Sequence, residues 1–315
     1  MRHRRIGSSD LVASEVGLAV WSLVAGPGAR SDEDALDLAK AALDLGVGYF
    51  AATDVDDDGR AERLLGQVLR GHRDEVTVAT TFGYDTTPRP WEPAPTPTDR
   101  GTPSGLPGPL RPRQDWSASF AGQALDRSLA RLRLEPIDLW LLHHPGMDAI
   151  GSDELFAFLE AQVEKGKVRR YGVALGPGPG WGDEGAAAIQ ERRVTAVETV
   201  YNVAEPHPGR ELAALAAEAG AGLVARDPLA PRLEAAARAR LEFLARDRDQ
   251  TLDQALVRLA LAEPAVATVL PPVRDRDHLA ELAAAADLPP PTPEDLDRLA
   301  QLREARFGVD DEDAR

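Results

Sequence analysis

Short runs of β-branched and aromatic residues alternate along this chain with longer segments whose apolar positions recur every three or four residues. The first strand-like run is 16–21. After it, Ser31 is placed to cap a helix, Asp32 and Glu33 put negative charge in its first turn, and Gly46 provides its stop. The same unit then repeats. Strands are expected at 47–52, 75–81, 137–142, 168–174, 194–200, 222–225 and 266–270. Helices are expected at 60–69, 117–131, 152–165, 183–192, 209–219, 252–262 and 275–285, with a terminal helix opening at Thr292 and Pro293 at its first position. The opening RRIGSSDLVASEV reads as a hairpin turning at Ser8–Asp10. Eight strand–helix units in order predict an α/β fold, a (β/α)8 barrel with an N-terminal β-hairpin and an extra C-terminal helix. No change of composition marks a linker, so 1–315 is expected to be one domain. Its functional site belongs at the C-terminal ends of the strands.

Two stretches break the rhythm. Residues 84–115 form a Pro/Gly-rich segment that leaves the end of the third strand and is expected to overhang the site. Residues 174–185 (ALGPGPGWGDEG) form a Gly-rich turn before a helix.

Composition narrows the chemistry. There is no cysteine, which excludes a thiolate nucleophile, a disulfide scaffold and Cys-based metal sites. The net charge of −16 argues against nucleic acid as a partner. No apolar run approaches the ~18 residues of a membrane span, and the basic start is not followed by a signal-like apolar stretch; a cytoplasmic protein is expected. The only lysines are Lys40, Lys165 and Lys167.

Several segments together resemble the aldo-keto reductase family: GLAVW (17–21), AALDLGVGYFAATDVDDDGRAERLLG (41–66), DEVTVATTFGYD (74–85), LARLRLEPIDLWLLHHP (129–145), GKVRRYGVALG (166–176), TVYN (199–202) and LAEPAVATVLP (261–271). The resemblance implies a barrel that binds NADP and moves hydride from nicotinamide to a carbonyl. It also implies a tetrad: a Tyr that donates the proton, a Lys that lowers its pKa, an Asp paired with that Lys, and a His that polarises the carbonyl. Transferred position by position, most of the tetrad is missing. The Asp position holds Ala51, the Tyr position Asp56 and the Lys position Thr81; only the His remains, as His143. No lysine falls near these positions. Tyr84, just past a strand end, is the one candidate substitute donor. Asp56 is expected to be anionic unless buried.

The cofactor positions are altered as well. The Ser-Asn after the fifth strand is Ala-Leu, as in one branch of the family, Glu198 replaces a Gln for the nicotinamide amide, and Arg226 replaces a stacking aromatic. Pro272 stands where a Gly lets backbone approach phosphate, while Arg274, Arg276 and His278 remain as a weak grip for a 2′-phosphate. Two metal-like patterns, the acidic turn 54–59 and the adjacent His143 and His144, read as a helix-capping turn and as structural histidines; no metal is expected. Strand alternation predicts that one of these histidines faces the barrel mouth and the other packs outside.

The expected function is therefore that of an aldo-keto reductase-like protein with a degenerate site. It is read as non-catalytic or repurposed and as binding a small-molecule ligand, with a protein partner or a second copy of the chain also open. The alternatives are an NADPH-dependent reductase with a non-standard donor and a non-redox enzyme using Asp56 and His143.

Overall fold

The computed structural model describes residues 1–25, 28–55, 59–86, 113–176, 181–205, 207–246, 248–305 and 307. β1 (His3–Arg5) and β2 (Val12–Ser14) form an antiparallel hairpin. Then come β3 (Leu18–Ala19), β4 (Tyr49–Ala51) and β5 (Thr77–Phe82). β6 (Tyr84–Asp85) and β7 (Arg113–Gln114) pair antiparallel at the foot of the long segment; 87–112 lies outside the described residues. β8 (Ile137–His143), β9 (Val168–Ala174), β10 (Ala196–Val200), β11 (Gly222–Arg226) and β12 (Val266–Leu270) complete the set. Eight strands form one sheet in the order β3, β4, β5, β8, β9, β10, β11, β12, every pair parallel. A bridge between Val16 and Val269 joins the last strand to the first and closes the barrel.

The helices are α1 (Trp21–Val24), α2 (Asp32–Asp44), α3 (Arg60–Val68), α4 (Ala118–Leu132), α5 (Met147–Ile150), α6 (Asp153–Glu164), α7 (Gly182–Gln190), α8 (Gly209–Ala219), α9 (Ala235–Ala239), α10 (Leu252–Ala260), α11 (Arg276–Ala284) and α12 (Pro293–Glu304). Ser31 caps α2 by accepting from the Asp34 amide, and Gly46 follows it at φ 80°, which a residue with a Cβ adopts at a cost. Thr292 and Asp295 form a capping box on α12, with Pro293 at its start.

Some boundaries differ from the expected ones. The first strand is shorter than 16–21, because Trp21 already opens α1. The third begins at Thr77, because Arg73–Glu75 form a 3₁₀ turn. α1, α5 and α9 were not expected, being too short for a helical period to show.

Strand alternation sorts the buried residues into two layers. Inward-facing Tyr49, Ala51, Ala79, Leu139, Leu141, Ala174, Ala196 and Val224 fill the barrel, and Ile6, Leu11 and Ala13 of the hairpin join that cluster as its plug. Phe50, Val78, Trp140, Leu142, Val173, Val197 and Leu223 face the helices. Gly17 leaves room for a large interior residue, since a Cβ there would lie 2.9 Å from the Tyr49 ring. The hairpin is clasped by Glu15, whose buried carboxylate takes Arg4 at 2.7 Å, Arg2 at 3.1 Å and Arg258 of α10 at 3.4 Å. No helix among the described residues is long and apolar enough to cross a membrane.

Candidate functional site

The parity that fills the barrel also selects the residues at its mouth. Two positions beyond Ala79, Leu141, Ala196 and Val224 come Thr81, His143, Glu198 and Arg226, and Ala51 ends β4 beside them. Ala51 supplies no charge. Lys40 pairs with Asp37 on α2 at 3.7 Å, Lys167 pairs with Asp126 at 2.9 Å, and Lys165 caps the end of α6; none of the three is among the mouth residues. Asp56 lies outside the described residues.

Thr81 stands where the resemblance places a lysine. Its hydroxyl donates to Asp54 Oδ1 over a long 3.4 Å and lies 3.3 Å from His143 Nδ1. All three side chains are buried. Burial, reinforced by Glu62, holds the Asp54 carboxyl well above the usual carboxylate range, against the pull of Arg131. Burial and the nearby Arg226 pull His143 down to about 3, so its imidazole is neutral at physiological pH.

The two histidines do not divide between the faces as alternation predicts. His144 has φ 56°, a left-handed turn that ends the strand pattern, and its ring centre lies 4.2 Å from that of His143. Its amide donates to the Ala174 carbonyl at 2.7 Å, while Gln114 Nε2 donates to the carbonyls of both histidines at 3.0 and 2.9 Å. Tyr84 OH lies 2.9 Å from His144 Nδ1, and the Tyr84 ring meets His143 edge-on. The candidate donor thus reaches the histidine pair through the second member. Burial first, then His143 and Arg226, also keep His144 well below the usual range.

The positions assigned to nicotinamide recognition form an ion pair with one another. Arg226 Nε lies 3.3 Å from Glu198 Oε1, and its NH2 donates to the carbonyls of Leu175 at 2.5 Å and Gly176 at 3.2 Å. The guanidinium therefore spans the ends of β9, β10 and β11. Burial raises the Glu198 carboxyl despite the attraction of Arg226. Trp181 lies against Gly176, where a Cβ would meet the indole at 1.9 Å.

Two of the three positions assigned to a 2′-phosphate, Arg274 and His278, are likewise engaged. Asp253 of α10 accepts from Arg238, from Arg274 at 3.2 Å and from His278 Nε2 at 3.2 Å. His278 is buried, and its Nδ1 accepts the Arg274 amide at 3.1 Å, which puts its proton on Nε2. Arg276 is exposed at the start of α11. Asp253, His278 and Glu281 offer ligand atoms within 4.8 Å of one another. Two arginines already neutralise Asp253, and Glu281 accepts from Thr251 at 2.6 Å, so the group is an ion-pair hub. Sequence reasoning missed Asp253, which sits in an ordinary helix start, and read Asp54 only as part of an acidic turn.

The chain matches the profile of the Aldo/keto reductase family over residues 15–304. It is 30% identical over 176 residues to the uncharacterized oxidoreductase YqkF of Bacillus subtilis, covering 55% of this chain and 49% of that protein. It is 32% identical over 180 residues to a 6-dehydroglucose reductase of Novosphingobium aromaticivorans, covering 54% and 50%. The chain thus spans about half the length of these curated relatives. The holo form of an aldo-keto reductase from Bacillus halodurans superposes with a TM-score of 0.75 at 24% identity, over 96% of each chain.

Proposed function

The chain belongs to the aldo/keto reductase family, and we propose that within it this member is a ligand-binding barrel that does not carry out hydride transfer. The observation behind this reading is the Arg226 guanidinium, held between Glu198 and the Leu175 and Gly176 carbonyls. The residues present do not suit a nicotinamide dinucleotide. At one end, the groups that would recognise the amide are ion-paired with each other. At the other, Asp253 already serves as the anion for Arg274 and His278. Separating a buried pair such as Arg226 and Glu198 leaves an uncompensated charge, at a cost of about 3–5 kcal/mol, which a cofactor's contacts would have to exceed. The acid–base apparatus points the same way: Ala51 and Thr81 provide neither the carboxylate nor the cation that would lower a phenol's pKa. The mouth instead offers two neutral imidazoles, Tyr84, Thr81 and a carboxyl kept above its usual range, suited to hydrogen-bonding a small polar ligand.

One observation favours a second reading, an NADPH-dependent reductase of a carbonyl compound: Tyr84 OH is already bonded inside the mouth, 2.9 Å from His144. A turnover assay separates the two. The purified chain with NADPH and a set of small aldehydes is expected to give background rates. Family-like turnover that Tyr84→Phe abolishes would establish the second reading and overturn the first.

A further inference from the structure

A second site, independent of the mouth and of the function proposed for it, lies where α12 meets the connection between β11 and α10. α9 ends at Ala239, and the chain runs through Arg240 into a 3₁₀ turn at Glu242–Leu244 and on to Arg246. Arg248, just beyond, grips Asp295 of α12 with two nitrogens, each 2.8 Å from a carboxylate oxygen. This clip seats Arg298 and Leu302, one turn apart on α12, beside the 3₁₀ turn, with the Arg298 guanidinium 4.1 Å from the centre of the Phe243 ring. Between the two elements is a cleft of about 350 Å³ lined by Ala239, Arg240, Phe243, Arg246, Arg298 and Leu302.

The cations of this cleft differ from the arginines beside them. Nearby Arg232, Arg238 and Arg248 each pair with a carboxylate, of Glu205, Asp253 and Asp295. Arg240, Arg246 and Arg298 have no carboxylate or hydrogen-bond partner on their side chains among the described residues. Three like charges on one concavity repel each other and focus a positive potential there. Guanidinium forks match phosphate and carboxylate oxygens, and the Phe243 stack holds one fork flat against the wall. The volume lies within the range of small-molecule sites, roughly 300–1,000 Å³. Ala239, Phe243 and Leu302 give apolar contact for the body of a ligand.

We propose that this cleft binds a small organic polyanion, a molecule with two or more phosphate or carboxylate groups held by Arg240, Arg246 and Arg298. The test is calorimetric titration of the full chain at low ionic strength with pyrophosphate and, separately, with citrate. At least one probe is expected to bind saturably at one site; whichever binds more tightly identifies the phosphate or the carboxylate class. The double variant R240A/R298A should weaken that binding at least about tenfold, equivalent to ~1.4 kcal/mol, and leave the melting temperature unchanged because both residues are exposed. Arg226→Met in the mouth should leave probe affinity unaltered. The proposal is overturned if neither probe binds saturably, if the double variant binds as the parent does, or if Arg226→Met is the variant that loses binding.

Discussion

His143 stands where the resemblance places the tetrad's histidine, and its surroundings fix its charge. Its folded-state value of about 3 lies far below the ~6.5 of a histidine in an unfolded chain. Between those values the unfolded chain holds a proton that the folded chain does not, so His143 makes stability fall as pH drops through that window. The raised carboxyls of Asp54, Glu62 and Glu198 work in the opposite sense, because they retain protons in the folded state that the unfolded chain has released. Bulk melting curves mix the two effects, so the readout must be residue-specific. Nitrogen-15 spectra should show the His143 ring neutral at pH 5; a titration centred near pH 6 would mean the site is solvated. Tyr84→Phe should cost about 1–3 kcal/mol of stability, by leaving His144 Nδ1 buried without its partner. A denaturant midpoint that does not move would mean this hydrogen bond is not maintained. The resemblance named Thr81, His143, Glu198 and Arg226 from the sequence, and strand parity in the structure brings all four to the mouth together. The left-handed turn at His144 was not legible, since nothing in HHP marks a residue with a Cβ for positive φ.

Elements were more legible than single contacts. Caps at Ser31 and Thr292 and the stop at Gly46 follow from local chemistry and stand in the structure as read. The ion pairs between elements could not be read, because each joins residues far apart in the chain. The Glu15 clasp is the clearest case: it ties the hairpin plug to α10 through a separation of 243 residues. Arg258 is nearly fully buried there, and burial and the repulsion of Arg2 lower its pKa while Glu15 opposes that. Glu15→Ala should therefore destabilise by about 3–5 kcal/mol, the usual cost of stranding a buried charge. The additional change Arg258→Met should recover part of that loss by removing the stranded cation. If Glu15→Ala alone is neutral in a denaturant melt, the hairpin is not held in the way described here.

Across the whole molecule, the proposed function requires that the barrel is kept while the two ends of the family's cofactor path are closed by the protein's own charges. The fold tolerates this because the mouth residues sit on strand ends whose packing is set by the layers beneath them. The triple change Ala51→Asp, Asp56→Tyr, Thr81→Lys would restore the tetrad's residue types around His143. It should stay inactive toward aldehydes, because it leaves Arg226, Glu198 and Asp253 as they are; turnover in that variant would mean that only the tetrad had been lost. The most direct measurement is a binding titration of the wild-type chain with NADPH, followed by cofactor fluorescence. The account predicts no saturation below roughly 100 μM, the weak end of small-molecule affinity. Saturation in the low micromolar range would contradict it, because the Arg226–Glu198 pair would then have to open for the cofactor.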